Sequence, residues 1–161
     1  MEQRDAPGAA GSVEKSSMGV LEASARVEAG DKFQMIGRVG EHTVVMDLSP
    51  ERGGENVGPT PPEVMVLSLA GCVLNMTRAL ATGQGLDPAG LAVEASGRID
   101  LDKAFGLPTE NRAGFLGLTV KVRPGAAWSE EGRRQVQKLL EERCPLCDSL
   151  EKATPLELVF L

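Results

Sequence analysis

The N-terminal part of the chain alternates between apolar and polar residues. Over residues 21–28 every second side chain is apolar, which is the period of a β-strand with one buried face. A turn is favoured at residues 29–31, and residues 32–36 continue in extended form, so the two segments predict a β-hairpin. The Gly-Arg-Val-Gly sequence that follows is expected to interrupt the chain before a third strand over residues 43–48. Three N-terminal strands are therefore predicted, followed by a glycine-rich loop.

The sequence TPPE at residues 60–63 carries the signals of a helix start. Thr60 is a preferred N-cap residue, proline is tolerated at the first helical position because its missing N–H needs no partner there, and Glu63 can close a capping box. The residues that follow are apolar on nearly every side up to Leu74, and the helix is predicted to end near Ala81. We expect this helix to lie at the centre of the fold.

The second half of the chain predicts two more strands, two helices and a last strand. Apolar residues alternate over residues 91–101 and again over 116–122, and these two strands are expected to pair. Ser129 is the predicted N-cap of a helix, which Pro145 ends, with a short second helix behind it. A final strand is predicted over residues 156–161.

This order of elements, in which strands and helices do not alternate regularly, predicts the α+β class. Residues 18–161 are expected to form one domain, because a chain of this length can bury a core of its own. Residues 1–17 are polar and glycine-rich and have no hydrophobic period, which predicts a disordered tail.

The overall charge narrows the range of partners. The 161 residues carry a net charge of -6. This charge disfavours binding to nucleic acid or to an anionic membrane, since both require clustered lysine and arginine. The longest apolar run, residues 64–74, is about half of the roughly 20 residues that span a bilayer, and the N-terminal residues lack the apolar stretch of a signal peptide. We therefore expect a cytoplasmic protein that binds neither nucleic acid nor membrane.

Three cysteines are the residues best suited to chemistry. In a reducing compartment, cysteines are more often catalytic, metal-binding or inert than structural. Cys72 is predicted in mid-helix among apolar neighbours, where burial disfavours the thiolate, so it needs a nearby cation in order to react. Cys144 precedes a proline at a helix start, where unsatisfied N–H groups favour a thiolate. From the residues alone, Cys144 is the more reactive thiol.

Cys144 and Cys147 also form a C-x-x-C motif, which occurs in zinc sites and in thioredoxin-like redox pairs. A closed zinc site needs four ligands, and the chain offers only one further cysteine and a single histidine, His42. The thioredoxin motif lies near a βαβ pattern, which this sequence lacks. We expect no metal site and interpret Cys147 as a bystander, although which thiol resolves is left open.

Three stretches of the chain together resemble the OsmC/Ohr family of thiol peroxidases. They are GPTPPE at residues 58–63, Ala70-Gly71-Cys72, and Cys144-Pro145-Leu146-Cys147. The resemblance covers about residues 18–161, and the predicted order of elements is also similar to that fold. It implies an intertwined homodimer with active sites at the interface, in which Cys72 is the peroxidatic thiol and Cys144 the resolving thiol. It further implies an organic hydroperoxide as substrate, an external dithiol of the lipoyl type as reductant, and no bound cofactor.

A reactive Cys72 requires a cation, and the resemblance offers two arginines. Arg38, in the Gly-Arg-Val-Gly sequence, resembles the arginine of the Ohr branch, whereas Arg52 lies nearer to where the OsmC branch carries its own. We favour Arg38 as the catalytic arginine and expect Glu63 to orient it through a bidentate pair. Glu63 precedes Cys72 by nine helical residues, which places it about 13 Å away along the axis and on the opposite side. If Glu63 serves Cys72, it is expected to do so from the other subunit.

The long helix carries aliphatic and methionine side chains that suit an apolar substrate. Met65 and Leu69 are predicted to contact the alkyl part of the peroxide, together with Arg52, and burial of that part favours organic peroxides over hydrogen peroxide. The alternative is a different class of protein, namely a non-catalytic dimeric scaffold of the same fold that binds a small apolar molecule or a partner.

Overall fold

Residues 19–160 are described by the structure, a computed structural model, and they fold into five strands and three α-helices. In chain order the elements are β1 (Arg26–Ala29), β2 (Met35–Val39), β3 (His42–Met46), α1 (Pro61–Gly83), β4 (Ala92–Ile99), β5 (Phe115–Arg123), α2 (Glu130–Arg143) and α3 (Pro145–Glu151). The strands form two antiparallel sheets, β1-β2-β3 and β4-β5, and α1 packs against β4, α2 and α3. The predicted α+β architecture, with three strands before a long helix, is confirmed.

The N-terminal sheet differs from the prediction at the turn between β2 and β3. β2 runs straight through Gly37, which pairs with Val27 on one side and Val44 on the other. The chain turns instead at Gly40, whose φ of 56° lies in the left-handed region that favours glycine. Because β2 ends at this turn, residues 21–25 have no strand beside them, and the first strand is shorter than predicted.

Helix α1 begins where the TPPE sequence predicts. The Oε2 atom of Glu63 accepts hydrogen bonds from the Thr60 backbone N–H at 2.7 Å and from the Thr60 hydroxyl at 2.8 Å. These bonds satisfy a backbone donor that the first turn would otherwise leave unpaired. The helix ends at Gly83, two residues beyond the predicted end at Ala81.

The core lies between α1, the β4-β5 hairpin and the two C-terminal helices. Its most buried side chains are Leu69, Val73 and Cys144, and aliphatic residues of β4, β5 and α2 pack around them. A second cluster, which includes Ala81 and Trp128, lies toward the C-terminal end of α1. Since Cys144 belongs to the first cluster, one of the predicted site residues is part of the core itself.

The predicted last strand is absent from the described part of the chain. Residues 153–160 have no regular secondary structure, and Leu156 and Phe160 are 84% and 98% exposed. Alternation alone predicted a strand here, but a strand also needs a neighbouring edge to pair with, and the segment pairs with none within residues 19–160. Leu161 and the predicted tail over residues 1–17 lie outside the described residues.

By length and composition α1 could cross a membrane, with a mean hydropathy of 1.6. The core helix of a water-soluble protein passes the same test, and α1 packs against three other elements. Part of its apolar surface is nevertheless open, because Leu67 is 66% exposed and Met65 is 40% exposed. The helix therefore has one face in the core and apolar side chains outside it.

Asp47 anchors the loop between β3 and α1. Its side chain is fully buried and accepts hydrogen bonds from the backbone N–H groups of Leu48 at 2.8 Å, Glu55 at 2.8 Å and Val57 at 3.2 Å. Burial by itself raises the pKa of Asp47, but the N–H groups of Glu55, Val57, Leu48 and Asn56 outweigh it, so the pKa lies below its ordinary value. This carboxylate fixes the loop on which Arg52 lies.

We expect Asp47→Asn to lower the thermal midpoint by about 4 to 8 °C, because an amide cannot accept all of these bonds. Asp31→Asn, at an exposed loop position, is the matched control and should change the midpoint by less than about 1 °C. A folded-state pKa below the unfolded value gives stability that is present at neutral pH and lost in acid. The difference between Asp47→Asn and wild type should therefore shrink as the pH falls below 3.8, and a difference that stayed constant would contradict this role.

Candidate active site

Two cysteine sulfurs meet at the middle of α1. The Sγ atoms of Cys72 and Cys144 are 3.7 Å apart, although 72 residues separate them in sequence. Cys144 ends α2 and begins α3, because Pro145 cannot continue the first helix but suits the first turn of the next. A disulfide requires an S–S distance of about 2.05 Å, so the sulfurs need to approach by about 1.7 Å. Both cysteines are free thiols in this structure.

Burial governs the protonation of Cys72. Desolvation raises the pKa of Cys72, the Leu146 backbone N–H opposes that increase, and the hydrogen bond and charge of Cys144 raise it further. No cation is among these influences within the described residues of one chain. Cys72 is therefore protonated at neutral pH in a single subunit, as the sequence led us to expect.

Cys147 belongs to the same cluster of thiols. Burial, followed by the side-chain interaction with Cys144 and the charges of Cys144, Cys72 and Glu151, together raise the pKa of Cys147 to about 12. It also packs against the core cluster that contains Cys144. The sequence predicted a bystander at Cys147, because neither a zinc site nor a thioredoxin-like pair fits the chain. The fold places Cys147 beside Cys144.

Arg52 and Glu63 lie together in a separate cavity of about 770 Å³. Hydrogen bonds from the backbone and then the side chain of Thr60 lower the pKa of Glu63, and the positive charge of Arg52 lowers it further. Both bonds from Thr60 go to Oε2, so Oε1 is left for a guanidinium. Arg38, the arginine favoured by sequence analysis, lies exposed on β2 opposite Thr43 and does not line this cavity.

The two apolar residues predicted to contact substrate lie elsewhere. Leu69 is 3% exposed in the core, and Met65 points outward without lining the cavity. The residues of α1 that line it are instead Pro62, Glu63, Val66, Leu67 and Ala70. Most of these follow the i, i+3, i+4, i+7 spacing from Glu63, so counting turns from the predicted helix start would have identified them.

A single chain does not bring all the predicted site residues together. Cys72 and Cys144 are in contact, but nine residues of continuous helix separate Glu63 from Cys72, a rise of about 13 Å. Neither Cys72 nor Cys144 lines the cavity that holds Arg52. In one chain the thiol pair and the arginine and glutamate pair are thus separate, and neither contains both a thiol and a cation. Among residues 19–160, no group of three or more His, Cys, Asp or Glu side chains is arranged to hold a metal ion.

The fold is similar to several solved structures. An OsmC-like protein from Mycoplasma pneumoniae matches with a TM-score of 0.71 at 16% identity, covering 83% of this chain and 89% of that one. An organic hydroperoxide resistance protein OsmC from Legionella pneumophila gives 0.61 at 18% identity, with 82% and 90% covered. An organic hydroperoxide resistance protein from Elizabethkingia anophelis gives 0.62 at 15% identity, with 85% and 93% covered. At such low identities the likeness concerns the fold alone.

The sequence itself matches one family. No curated protein matches it, but the family described as OsmC-like protein matches residues 53–159, which is most of the chain. The matched region contains α1, the β4-β5 hairpin and both C-terminal helices, and with them Cys72 and Cys144. The chain therefore belongs to the OsmC-like protein family.

Proposed function

We propose that this protein is a thiol peroxidase that reduces organic hydroperoxides with Cys72 and Cys144, in the response to oxidative stress. The observation that carries the proposal is the 3.7 Å contact between the two sulfurs. The contact brings together a thiol of α1 and a thiol at the junction between α2 and α3. The solved structures that this chain resembles include proteins named for organic hydroperoxide resistance. Inert core cysteines have no need to meet in this way.

The chemistry requires two steps at these sulfurs. The Cys72 thiolate attacks the terminal oxygen of ROOH, the O–O bond breaks, and an alcohol leaves after protonation of its alkoxide, so that Cys72 becomes a sulfenic acid. The Cys144 thiol then attacks the Cys72 sulfur and releases water, which leaves a disulfide between the two residues. An external dithiol, for which we propose a lipoyl-type molecule, reduces this disulfide. No bound cofactor takes part.

We propose that a second copy of the chain completes the site. The partner's Arg52 would stabilise the Cys72 thiolate and polarise the peroxide, and the partner's Glu63 would orient that guanidinium. A cation beside the sulfur would lower the pKa that burial raises. Arg52 is proposed in place of Arg38 because it shares a cavity with Glu63.

The exposed apolar surface supports this homodimer. An antiparallel pairing of two α1 helices with Glu63 opposite the partner's Cys72 crosses midway, near Leu67, which is 66% exposed. Leu156, Leu158 and Phe160 in the C-terminal segment are each more than 75% exposed. Contiguous exposed apolar side chains are typical of an interface, and a second subunit offers the strand edges that this segment lacks.

The cavity beside Arg52 suits an organic substrate. Leu67, Phe105 and Phe115 are among its apolar lining residues, while Arg52 and Glu63 supply charge. Burying an alkyl or aryl group against such a wall contributes about 25 cal/mol for each Å² removed from water, which hydrogen peroxide cannot gain. We place the enzyme in the cytoplasm, where reduced dithiols are available.

A second function is a non-catalytic dimeric scaffold that binds a small apolar molecule or a partner in this cavity. It is favoured by the raised pKa of Cys72, since a neutral thiol does not attack peroxides. The two functions differ in whether cysteine substitutions change peroxide consumption.

Peroxide consumption should depend on each cysteine in its own way. With a dithiol reductant, we expect Cys72→Ser to abolish turnover of cumene hydroperoxide, because no other thiol attacks the peroxide. Cys144→Ser should still consume one equivalent but lose about tenfold or more in steady-state rate, because its sulfenic acid is not resolved. If wild type consumes no more peroxide than buffer with both lipoyl and simple dithiols, the peroxidase proposal fails and the scaffold is favoured.

The two arginines should respond differently to substitution. We expect Arg52→Gln to lower kcat/KM for cumene hydroperoxide by about 100-fold, the size expected when a charged group that stabilises the reacting atoms is removed. Arg38→Gln is the matched control and should stay within about twofold of wild type, because its side chain is exposed on β2. The reverse result would assign the role to Arg38 instead.

Mixed dimers should show whether the thiol pair of one site and its arginine and glutamate come from different subunits. Refolding Cys72→Ser together with Arg52→Gln gives mixed dimers in which one site has both Cys72 and the partner's Arg52. About a quarter of wild-type activity should return if chains associate at random. Mixing Cys72→Ser with Cys144→Ser is the control and should restore no turnover, since both thiols of a site come from one chain. Absence of recovery in the first mixture, or a monomer by light scattering, would contradict the shared site.

A further inference from the structure

We propose that Cys147 is a third redox residue, which takes over the disulfide from Cys72 and presents a Cys144–Cys147 disulfide to the external reductant. This inference rests on the proposed peroxidase function. It adds a second half-reaction carried out at a different cavity from the one assigned to the peroxide.

The start of α3 holds Cys144 and Cys147 next to one another. Cys144 is the N-cap of α3 and Cys147 is its third residue, so the first turn of the helix brings the two residues close together. Their thiols lie close enough for Cys144 to raise the pKa of Cys147, and Cys147 packs on the core cluster that contains Cys144. Cys144 thus lies near both Cys72 and Cys147, so either can share a disulfide with it.

Exposure shows what a transfer adds, since it gives the reductant a second half-buried sulfur besides that of Cys72. Cys144 is only 1% exposed, so an outside dithiol cannot reach its sulfur directly. Cys147 lines a cavity of about 490 Å³ between α1, β5, α2 and α3, which neither Cys72 nor Cys144 lines. Moving the disulfide onto Cys147 therefore brings it to a surface from which a reductant can attack.

This second cavity has the character of a binding site for a dithiol with an apolar stem. Its wall includes Val73, Val120 and Val136, which can pack against an aliphatic chain. Thr77, only 1% exposed, also lines it, and its hydroxyl has no hydrogen-bond partner among residues 19–160, so it can anchor a polar group of the reductant. The cavity beside Arg52 contacts α1 at residues 62–70, whereas this one contacts it at Val73 and Thr77. Peroxide and reductant would occupy different places.

The transfer balances as an ordinary thiol–disulfide exchange. The Cys147 sulfur, after losing its proton, attacks the Cys144 sulfur of the Cys72–Cys144 disulfide, and Cys72 leaves as a thiolate. The proton lost by Cys147 is returned to solvent or to Cys72, and no oxidant is consumed. Its raised pKa makes Cys147 slow toward peroxide, so it does not compete with Cys72 for oxidation, while its contact with Cys144 gives a high effective concentration for the exchange.

The position of the disulfide can be read directly from a tryptic digest. Cleavage after Arg143 and Lys152 places Cys144 and Cys147 on one peptide, whereas Cys72 lies on the peptide over residues 53–78. A Cys72–Cys144 disulfide therefore cross-links two peptides, and a Cys144–Cys147 disulfide leaves one peptide lighter by two hydrogen atoms. Reduced protein is given one equivalent of cumene hydroperoxide, quenched with acid at a series of times, alkylated and analysed by mass spectrometry.

In wild type we expect the cross-link to form first and to be replaced by the internal disulfide. Cys147→Ser should consume its equivalent of peroxide at the wild-type rate and retain the cross-link. Its re-reduction by dihydrolipoate should be about tenfold slower or more. Cys147→Ala serves as a second variant, and circular dichroism checks that both are folded.

Two results separate this inference from the function on which it rests. Oxidation by diamide, which needs no peroxidase activity, should give the same migration of the disulfide. Migration after diamide without any peroxide consumption would refute the peroxidase and leave the transfer standing. A persistent cross-link in wild type after both oxidants, with Cys147→Ser re-reduced at the wild-type rate, would overturn the transfer.

Discussion

The contact between Cys72 and Cys144 is the interaction on which the proposed chemistry depends. It requires α1 to be continuous through its middle and the chain to bend sharply where α2 ends. Pro145 supplies that bend, and the burial of Leu69, Val73 and Cys144 in one cluster holds the junction against α1. The same packing that stabilises the core therefore sets the distance between the sulfurs, so the site cannot loosen without a loss of core packing.

This arrangement has an electrostatic cost, which is the reason for our proposal that two subunits share the site. A thiol that packs against apolar residues is held in its neutral form, and within one chain only the Leu146 N–H opposes this effect on Cys72. Glu63 lies at the start of α1, where it also caps the helix, and Arg52 lies in the loop held by Asp47. Because α1 is continuous, Glu63 and Cys72 lie about 13 Å apart along its axis. Pairing with a second copy of the chain is the simplest way to bring a glutamate and its arginine to Cys72.

Local patterns predicted most of the fold. The start of α1 follows from the capping residues Thr60 and Glu63, and the break at Pro145 follows from its missing N–H. The prediction failed where a partner strand decides the outcome. Gly37 was expected to end a strand, but it is tolerated there because strands pair on both sides of it.

The candidate site was less accessible from sequence because it is made by contacts between distant elements. The pairing of Cys72 with Cys144 came from a family resemblance, since nothing in the spacing of these residues predicts that they meet. The contact of Cys147 with Cys144 depends on where α3 begins, and the cavity beside Arg52 depends on how the loop after β3 folds over α1. Helix periodicity counted from Glu63 predicts Leu67 and Ala70, rather than Met65, as residues that line the cavity beside Arg52.

The central claim is tested most directly by counting free thiols per chain before and after one equivalent of cumene hydroperoxide. The reduced protein has three cysteines, and the account predicts that the count falls from three to one, since a disulfide removes two thiols whichever pair holds it. A count that stays at three would mean that no thiol reacts with the peroxide. A count of two, stable over time, would mean that an oxidised thiol is never resolved, and either result would contradict the account.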